Sequence, residues 1–217
     1  MTVRLAVFDC DGTLADGQAG VVRAMDSAFA EQGLAAPDHH TVRRIVGLSL
    51  PQAMRELAPQ ADDDAVRDLV DSYKVAFRAM REDGSLKEPL YEGIPELLQR
   101  LHAKGWTLGV ATGKSDRGLA STLAANGLAH LFGPLHTADR HPSKPNPAML
   151  QAAMDDCLAA PENTVMIGDT VYDIVMARSV QVRAIGVNWG YHEADELRNA
   201  GAEAVASTMA ELEEMIG

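Results

Sequence analysis

Hydrophobic positions change their rhythm twice along the chain. Residues 3–8 read Val-Arg-Leu-Ala-Val-Phe, a short β-rich run that stops at the turn signal Asp9-Cys10-Asp11-Gly12-Thr13. From about 17 to about 86 the spacing is helical. Val21, Val22, Met25 and Phe29 recur early, and Val66, Leu69, Val70, Tyr73, Phe77 and Met80 recur later. Gly33, Pro37, Gly47, Pro51 and Pro59 divide this stretch into about four helices, with no strand pattern between them. After Pro89 short apolar runs alternate with helical ones. A helix near Ile94–Lys104 leads to a strand at Thr107–Ala111 and a helix from about Asp116 to Asn126. A short strand at Leu135–Ala138, a helix opening near Pro147 and a strand at Thr164–Gly168 come next. The pattern ends with a helix at Val171–Ser179, a strand at Arg183–Val187, and two helices around an edge strand at Ala202–Ala206. Such alternation predicts an α/β fold, a parallel sheet covered on both faces. Residues 1–15 and 89–217 are expected to form this core domain, with 16–88 inserted as an all-helical domain.

Length permits this arrangement: 217 residues suffice for a sizeable core with a smaller insertion. Apolar residues make up 47% and charged residues 23%, as in ordinary globular proteins. No apolar run approaches the roughly 18–20 residues of a membrane span. The N-terminal segment has one basic residue and reaches an acid by position 9, unlike a secretory signal, so a cytoplasmic location is expected. Cys10 and Cys157 have neither metal-ligand spacing nor a partner framework, and both are expected to be reduced. In an extended segment Cys10 faces away from the aspartates on either side of it.

The net charge of −12 argues against nucleic acid and anionic membranes as partners. It also repels anionic substrates at long range. A site that handles phosphate here needs local positive charge from a metal, a lysine or a helix N-terminus.

Four polar stations follow strands, where an open parallel sheet binds its ligands. They are Asp9-Cys10-Asp11-Gly12-Thr13, Ala111-Thr112-Gly113-Lys114, Ser143-Lys144-Pro145-Asn146-Pro147 and Gly168-Asp169-Thr170-Val171-Tyr172-Asp173. Thr112 to Lys144 spans 32 positions and Lys144 to Asp169 spans 25, each suited to one strand-helix unit. All four should converge on one sheet edge. Asp9 and Asp169 can supply the one or two carboxylates that Mg²⁺ commonly takes beside substrate phosphate and water. Asp9 can attack phosphorus and form an aspartyl-phosphate. Asp11, two residues on, can protonate the leaving alcohol and then activate water. The Thr112 hydroxyl and Gly113 amide can bind phosphoryl oxygens, helped by the helix that opens after them. Lys144 supplies a point positive charge.

In order and spacing, these four segments resemble the motifs of the haloacid dehalogenase superfamily across nearly the whole chain. The resemblance implies a Rossmann-like core and a helical cap inserted after the first motif. It also implies Asp9 as nucleophile, Asp11 as acid/base with its backbone carbonyl on the metal, Thr112 and Lys144 at the phosphate, and Asp169 on Mg²⁺. Asp173 is implied as a weaker or water-mediated metal contact, although on its own it also suits the first turn of its helix. Among members the chain is most similar to phosphoglycolate-phosphatase-like proteins. The implied partner is a small-molecule phosphate ester. True dehalogenases lack the second aspartate of the first motif, which is present here as Asp11.

Other features read more plainly. Lys114 and Arg117 read as solvated helix residues. Arg43, Arg44 and Gly47 suit either a substrate-facing site or an exposed helix face. Trp189-Gly190-Tyr191-His192 reads as packing, and the seven histidines as structural or exposed. A sugar phosphomutase of the same fold is the alternative function; it would shield the same intermediate from water. A non-catalytic scaffold would lack a station, and none is missing. No strip of sequence marks an oligomer interface.

Overall fold

The computed structural model describes residues 2–217. Six strands form one sheet: β1 (Arg4–Phe8), β2 (Trp106–Thr112), β3 (Phe132–Thr137), β4 (Thr164–Gly168), β5 (Arg183–Val187) and β6 (Ala204–Ala206). Their order is β3-β2-β1-β4-β5-β6 and every pairing is parallel. The α/β expectation holds.

The strands read as continuous apolar runs because both faces are covered. In β1, Ala6 and Phe8 pack to one side and Leu5 and Val7 to the other. Helices α5 (Ile94–Ala103), α6 (Asp116–Ala125) and α10 (Met209–Ile216) contribute to the first layer through residues such as Leu98, Leu119 and Leu212. Helices α7 (Ala148–Cys157), α8 (Val171–Ser179) and α9 (Ala194–Asn199) contribute to the second through Leu150, Ile174 and Leu197. Each fully buried Leu, Ile or Phe contributes roughly 1.5–3 kcal/mol relative to exposure. Cys10 is buried in the first layer, and neither cysteine is bonded.

One boundary moves. β3 begins at Phe132, not near Leu135, and so takes in Gly133 and Pro134. Both residues signal a break in sequence, but β3 is an edge strand whose outer side has no ladder to complete. Its register against β2 shifts at this point.

Four helices form between β1 and α5: α1 (Gln18–Glu31), α2 (His39–Arg44), α3 (Leu50–Leu57) and α4 (Asp63–Glu82). Met25, Phe29, Val42, Met54 and Leu69 give them a separate apolar cluster. The long α4 begins where Asp62 accepts a hydrogen bond from the Ala65 amide at 2.9 Å, with Asp63 and Asp64 in the first turn to complement the helix dipole. The chain enters and leaves this unit along two adjacent segments. The Asp16 amide donates to the Pro89 carbonyl at 2.8 Å, and the Tyr91 amide donates to the Leu14 carbonyl at 3.1 Å.

The helical unit is seated on the carboxyl edge of the sheet. Arg44 forms a two-pronged ion pair with Glu196 at 2.5 Å, and that hydrogen-bonded guanidinium holds the Glu196 carboxyl down at about 2. The Ser49 amide donates to Ser143 Oγ at 2.7 Å. His192 is buried between the two parts. Its Nδ1 accepts from the Val171 amide, so its Nε2–H is free to donate to the Arg44 carbonyl at 2.9 Å. Burial lowers its pKa and favours this neutral form. Gly113 permits the closest approach: a Cβ there would lie 2.8 Å from the Gly47 carbonyl oxygen. Arg44 and Gly47 therefore lie at the docking seam, and neither belongs to a freely exposed helix face. Among the described residues, no helix is long and apolar enough to cross a membrane.

Candidate active site

Strand order reverses between β1 and β4, and the crevice at their carboxyl ends is the natural ligand site of such a sheet. Asp9 is the first residue past β1 and Asp169 the first past β4, while Thr112 ends β2 and Lys144 lies in the loop after β3. All four are buried to within 1% of full burial. The Asp9 amide donates to the Ile167 carbonyl at 2.9 Å, so the nucleophile candidate is fixed by the sheet ladder itself.

Lys144 Nζ lies 2.9 Å from Asp9 Oδ1 and 2.6 Å from Asp173 Oδ1. Asp173 also accepts from the Thr170 amide at 3.1 Å and hydroxyl at 2.7 Å, closing a capping box at the start of α8. It thus caps its helix and holds Lys144 at once. Asp169 is oriented by two donors, the Thr13 hydroxyl at 2.8 Å and the Tyr191 amide at 2.9 Å. Gly12 makes room for this: it has φ +84°, and a Cβ would collide with the Asp169 carboxylate. Trp189 Nε1 donates to the Thr13 carbonyl at 3.2 Å, so the Trp189 segment packs behind the site as expected.

Oxygens of Asp9, Asp169 and Asp173 lie within 4.8 Å of one another, and one ammonium meets two of the three, Asp9 and Asp173. Burial pushes the Asp9 carboxyl up to about 7; Lys144 pulls it down and Asp173 pushes it further up. Burial, then the charges of Asp9 and Asp173, also raises Asp169 well above the carboxylate range. For Lys144, burial disfavours the charge, but Asp173 and Asp9 outweigh it and raise its pKa. Neither Asp9 oxygen accepts a hydrogen bond, and the Lys144 contact is an ion pair outside hydrogen-bond geometry. Buried oxygens without donors, in a carboxylate cluster with one cation, fit an oxygen-seeking divalent ion. Of the expected ligands Asp9, Asp11 and Asp169, the first and last cluster with Asp173, and the Asp11 carboxylate does not join them.

Asp11 instead meets Lys114, and here the sequence reading is corrected. Lys114 is not a solvated helix residue: its side chain is 8% exposed, with Nζ 3.0 Å from Asp11 Oδ1 and 2.6 Å from Glu88 Oε1. Helix α6 starts only at Asp116, capped by Ser115, so Lys114 lies in the inward-facing turn before it. Ser115 is the sequence signal that could have excluded Lys114 from the helix. Burial raises the Asp11 carboxyl, and Lys114 opposes that rise. Glu88 carries no motif signal and comes from the segment leaving the helical unit. Thr13 and Tyr191, which orient Asp169, were also not singled out for it, since a backbone amide and a small hydroxyl leave little trace in sequence. Arg117 is exposed, as expected.

Asp9, Asp11, Thr112 and Gly113 line one side of a cavity of about 450 Å³, closed on the other by the helical unit. The arrangement holds a buried carboxylate beside a fixed ammonium, a second carboxylate across the same space, and a cluster of carboxyls able to hold a metal.

Known proteins share this architecture. A probable phosphatase, IndB, of Dickeya dadantii is 35% identical over 213 residues, covering 96% of this chain and 91% of that one. A phosphoglycolate phosphatase of Vibrio parahaemolyticus is 27% identical over 225 residues, covering 99% and 96%. A crystal structure of a predicted phosphatase from Clostridium acetobutylicum superposes with a TM-score of 0.88 at 27% identity, covering 100% of this chain and 99% of that one. Residues 6–187, which span all four stations, match the family described as haloacid dehalogenase-like hydrolase. The chain belongs to the haloacid dehalogenase-like hydrolase family.

Proposed function

We propose that the chain is a Mg²⁺-dependent phosphatase that hydrolyses a small-molecule phosphate monoester through an aspartyl-phosphate at Asp9. The observation that carries this reading is Asp9 itself: a buried carboxylate with both oxygens free of hydrogen bonds, beside a fixed ammonium and facing a cavity. Residues 16–88 act as the cap over a core made of 1–15 and 89–217.

Asp9 and Asp169 would hold Mg²⁺, with the Asp11 backbone carbonyl that the family resemblance implies. Bound there, the ion would neutralise negative charge on the carboxylates and phosphoryl oxygens. Asp9 attacks phosphorus as its bond to the alcohol oxygen breaks, and Asp11 delivers a proton to that oxygen. Asp11 then takes a proton from the water that attacks phosphorus, releasing inorganic phosphate and free Asp9. Lys144 holds Asp9 and the phosphoryl oxygens in line, and Asp173 keeps Lys144 in place. The Thr112 hydroxyl and Gly113 amide bind phosphoryl oxygens. The Vibrio relative makes phosphoglycolate an early ester to assay. Asp9→Asn should abolish Mg²⁺-dependent phosphate release from a generic ester; full activity in that variant contradicts the mechanism.

A further inference from the structure

The cavity over Asp9 is much larger than a phosphoryl group with a two-carbon acid, and its volume of about 450 Å³ lies in the range that encloses ring-sized ligands. It is the space left with the cap seated, since Arg44 bonds to Glu196 and His192 of the core and Ser49 to Ser143. Its cap-side wall is mostly apolar. Met25 and Leu48 contribute, and Tyr73 and Phe77 stack with centroids 5.6 Å apart at 20°.

The position of that aromatic pair matters more than its presence. Lys114 Nζ lies 5.8 Å from the Phe77 ring centroid and 3.0 Å from Asp11 Oδ1. The ring wall therefore stands beside the carboxylate that protonates the departing oxygen, so the alcohol side of the ester lies along it. A charged carboxylate two bonds from that oxygen would be desolvated against this wall. The nearby cations are already engaged: Lys114 with Asp11 and Glu88, and Arg81 with Glu88 at 3.6 Å. Lys74, Arg78 and Arg117 line the cavity but are exposed. Arg81 Nη2 is buried without a hydrogen-bond partner, and its ion pair with Glu88 is its one polar contact there. A largely apolar enclosure whose buried cations are already paired is a site for an uncharged ring.

We infer that the preferred substrate is a phosphate monoester whose alcohol bears an aromatic or similarly bulky apolar ring, seated against Tyr73 and Phe77, and not a short phosphocarboxylate. This rests on the phosphatase reading above. The test uses the full chain with Mg²⁺ and three primary-alcohol esters: ethyl phosphate, phosphoglycolate and 2-phenylethyl phosphate. kcat/KM for the phenylethyl ester should exceed that of both others by about tenfold or more, from apolar burial in the transition state. The phenylethyl-to-ethyl ratio should fall about fivefold or more in Phe77→Ala, and partly in Phe77→Leu, which keeps bulk without the flat ring. Phosphoglycolate turned over as well as or better than the phenylethyl ester overturns the inference and leaves the phosphatase reading standing. Hydrolysis of none of the three overturns both.

Discussion

At the sheet edge the working side chains are charged and buried; across the cavity the cap presents Met25, Leu48, Tyr73 and Phe77. The first wall is held by backbone. Asp9 and Asp169 sit one residue past neighbouring strands, and a ladder hydrogen bond fixes the first of them. The second wall is held by packing and by a few docking bonds. A chemistry common to phosphate esters can therefore be built on the sheet side, and selection among alcohols left to the packed side. If this division is right, sheet-edge substitutions should damage turnover of every ester, and cap substitutions should rank esters differently.

Asp11→Asn should lower kcat on alkyl phosphates by about 10²–10⁴, the usual worth of a positioned acid/base. p-Nitrophenyl phosphate, whose phenolate leaves with little proton help, should lose much less in the first step. Equal losses on both esters would remove the acid role from Asp11.

Metal-free protein offers a second way to strain the sheet-edge wall. The Asp9 carboxyl rises from 3.8 to about 7 on folding, so the native state holds a proton there that the unfolded chain has lost. Stability from this group therefore falls as pH rises from about 4 to about 7 and is flat above. Without metal, Asp9→Asn should gain on wild type across that window, by up to about 4 kcal/mol at 1.36 kcal/mol per pKa unit. Urea melts of both proteins at several pH values read the gap. Added Mg²⁺ should close it by stabilising wild type alone. A gap that does not change between pH 4 and 8 contradicts the buried-charge account.

Lys114→Met tests the link between the walls. It should cost about 10- to 100-fold on alkyl esters and less on p-nitrophenyl phosphate, the same signature as loss of Asp11. Because it leaves Asp11 and Glu88 buried together, the single variant should also be less stable. Adding Glu88→Gln should restore the melt without restoring turnover. Uniform loss on both esters would make Lys114 structural only. The smallest effect is expected at Arg44→Ala. Its half-exposed pair with Glu196 should contribute under about 1 kcal/mol to stability, and the change should appear as a raised KM more than a lowered kcat.

The same contrast explains what could be read from sequence. The sheet, its strand-end stations and the four cap helices were legible because period and turn chemistry are local. The convergence of Asp9, Asp11, Thr112, Lys144 and Asp169 on one sheet edge is legible because each ends or follows a strand. Lys114 was misread because its burial depends on Glu88, which arrives 26 residues earlier from the other side of the cap. Arg44 was left between two readings because Glu196, its partner, is 152 residues away. The helix-turn reading of Asp173 matches its cap on α8, while its hold on Lys144 is invisible in sequence because the two are 29 residues apart. In sequence Tyr73 and Phe77 are legible only as positions at helical spacing. Nothing in that spacing says that a cavity opens beside them.

The central claim is that Asp9 carries the phosphoryl group, and the most direct measurement is chemical trapping during turnover. Protein mixed with Mg²⁺ and a hydrolysed ester is quenched in acid and reduced with borohydride, which converts an acyl phosphate to the alcohol. Peptide mass spectrometry should then find homoserine at position 9, dependent on ester and absent from Asp9→Asn. Unmodified Asp9 under active turnover, or modification at another carboxylate, would contradict it.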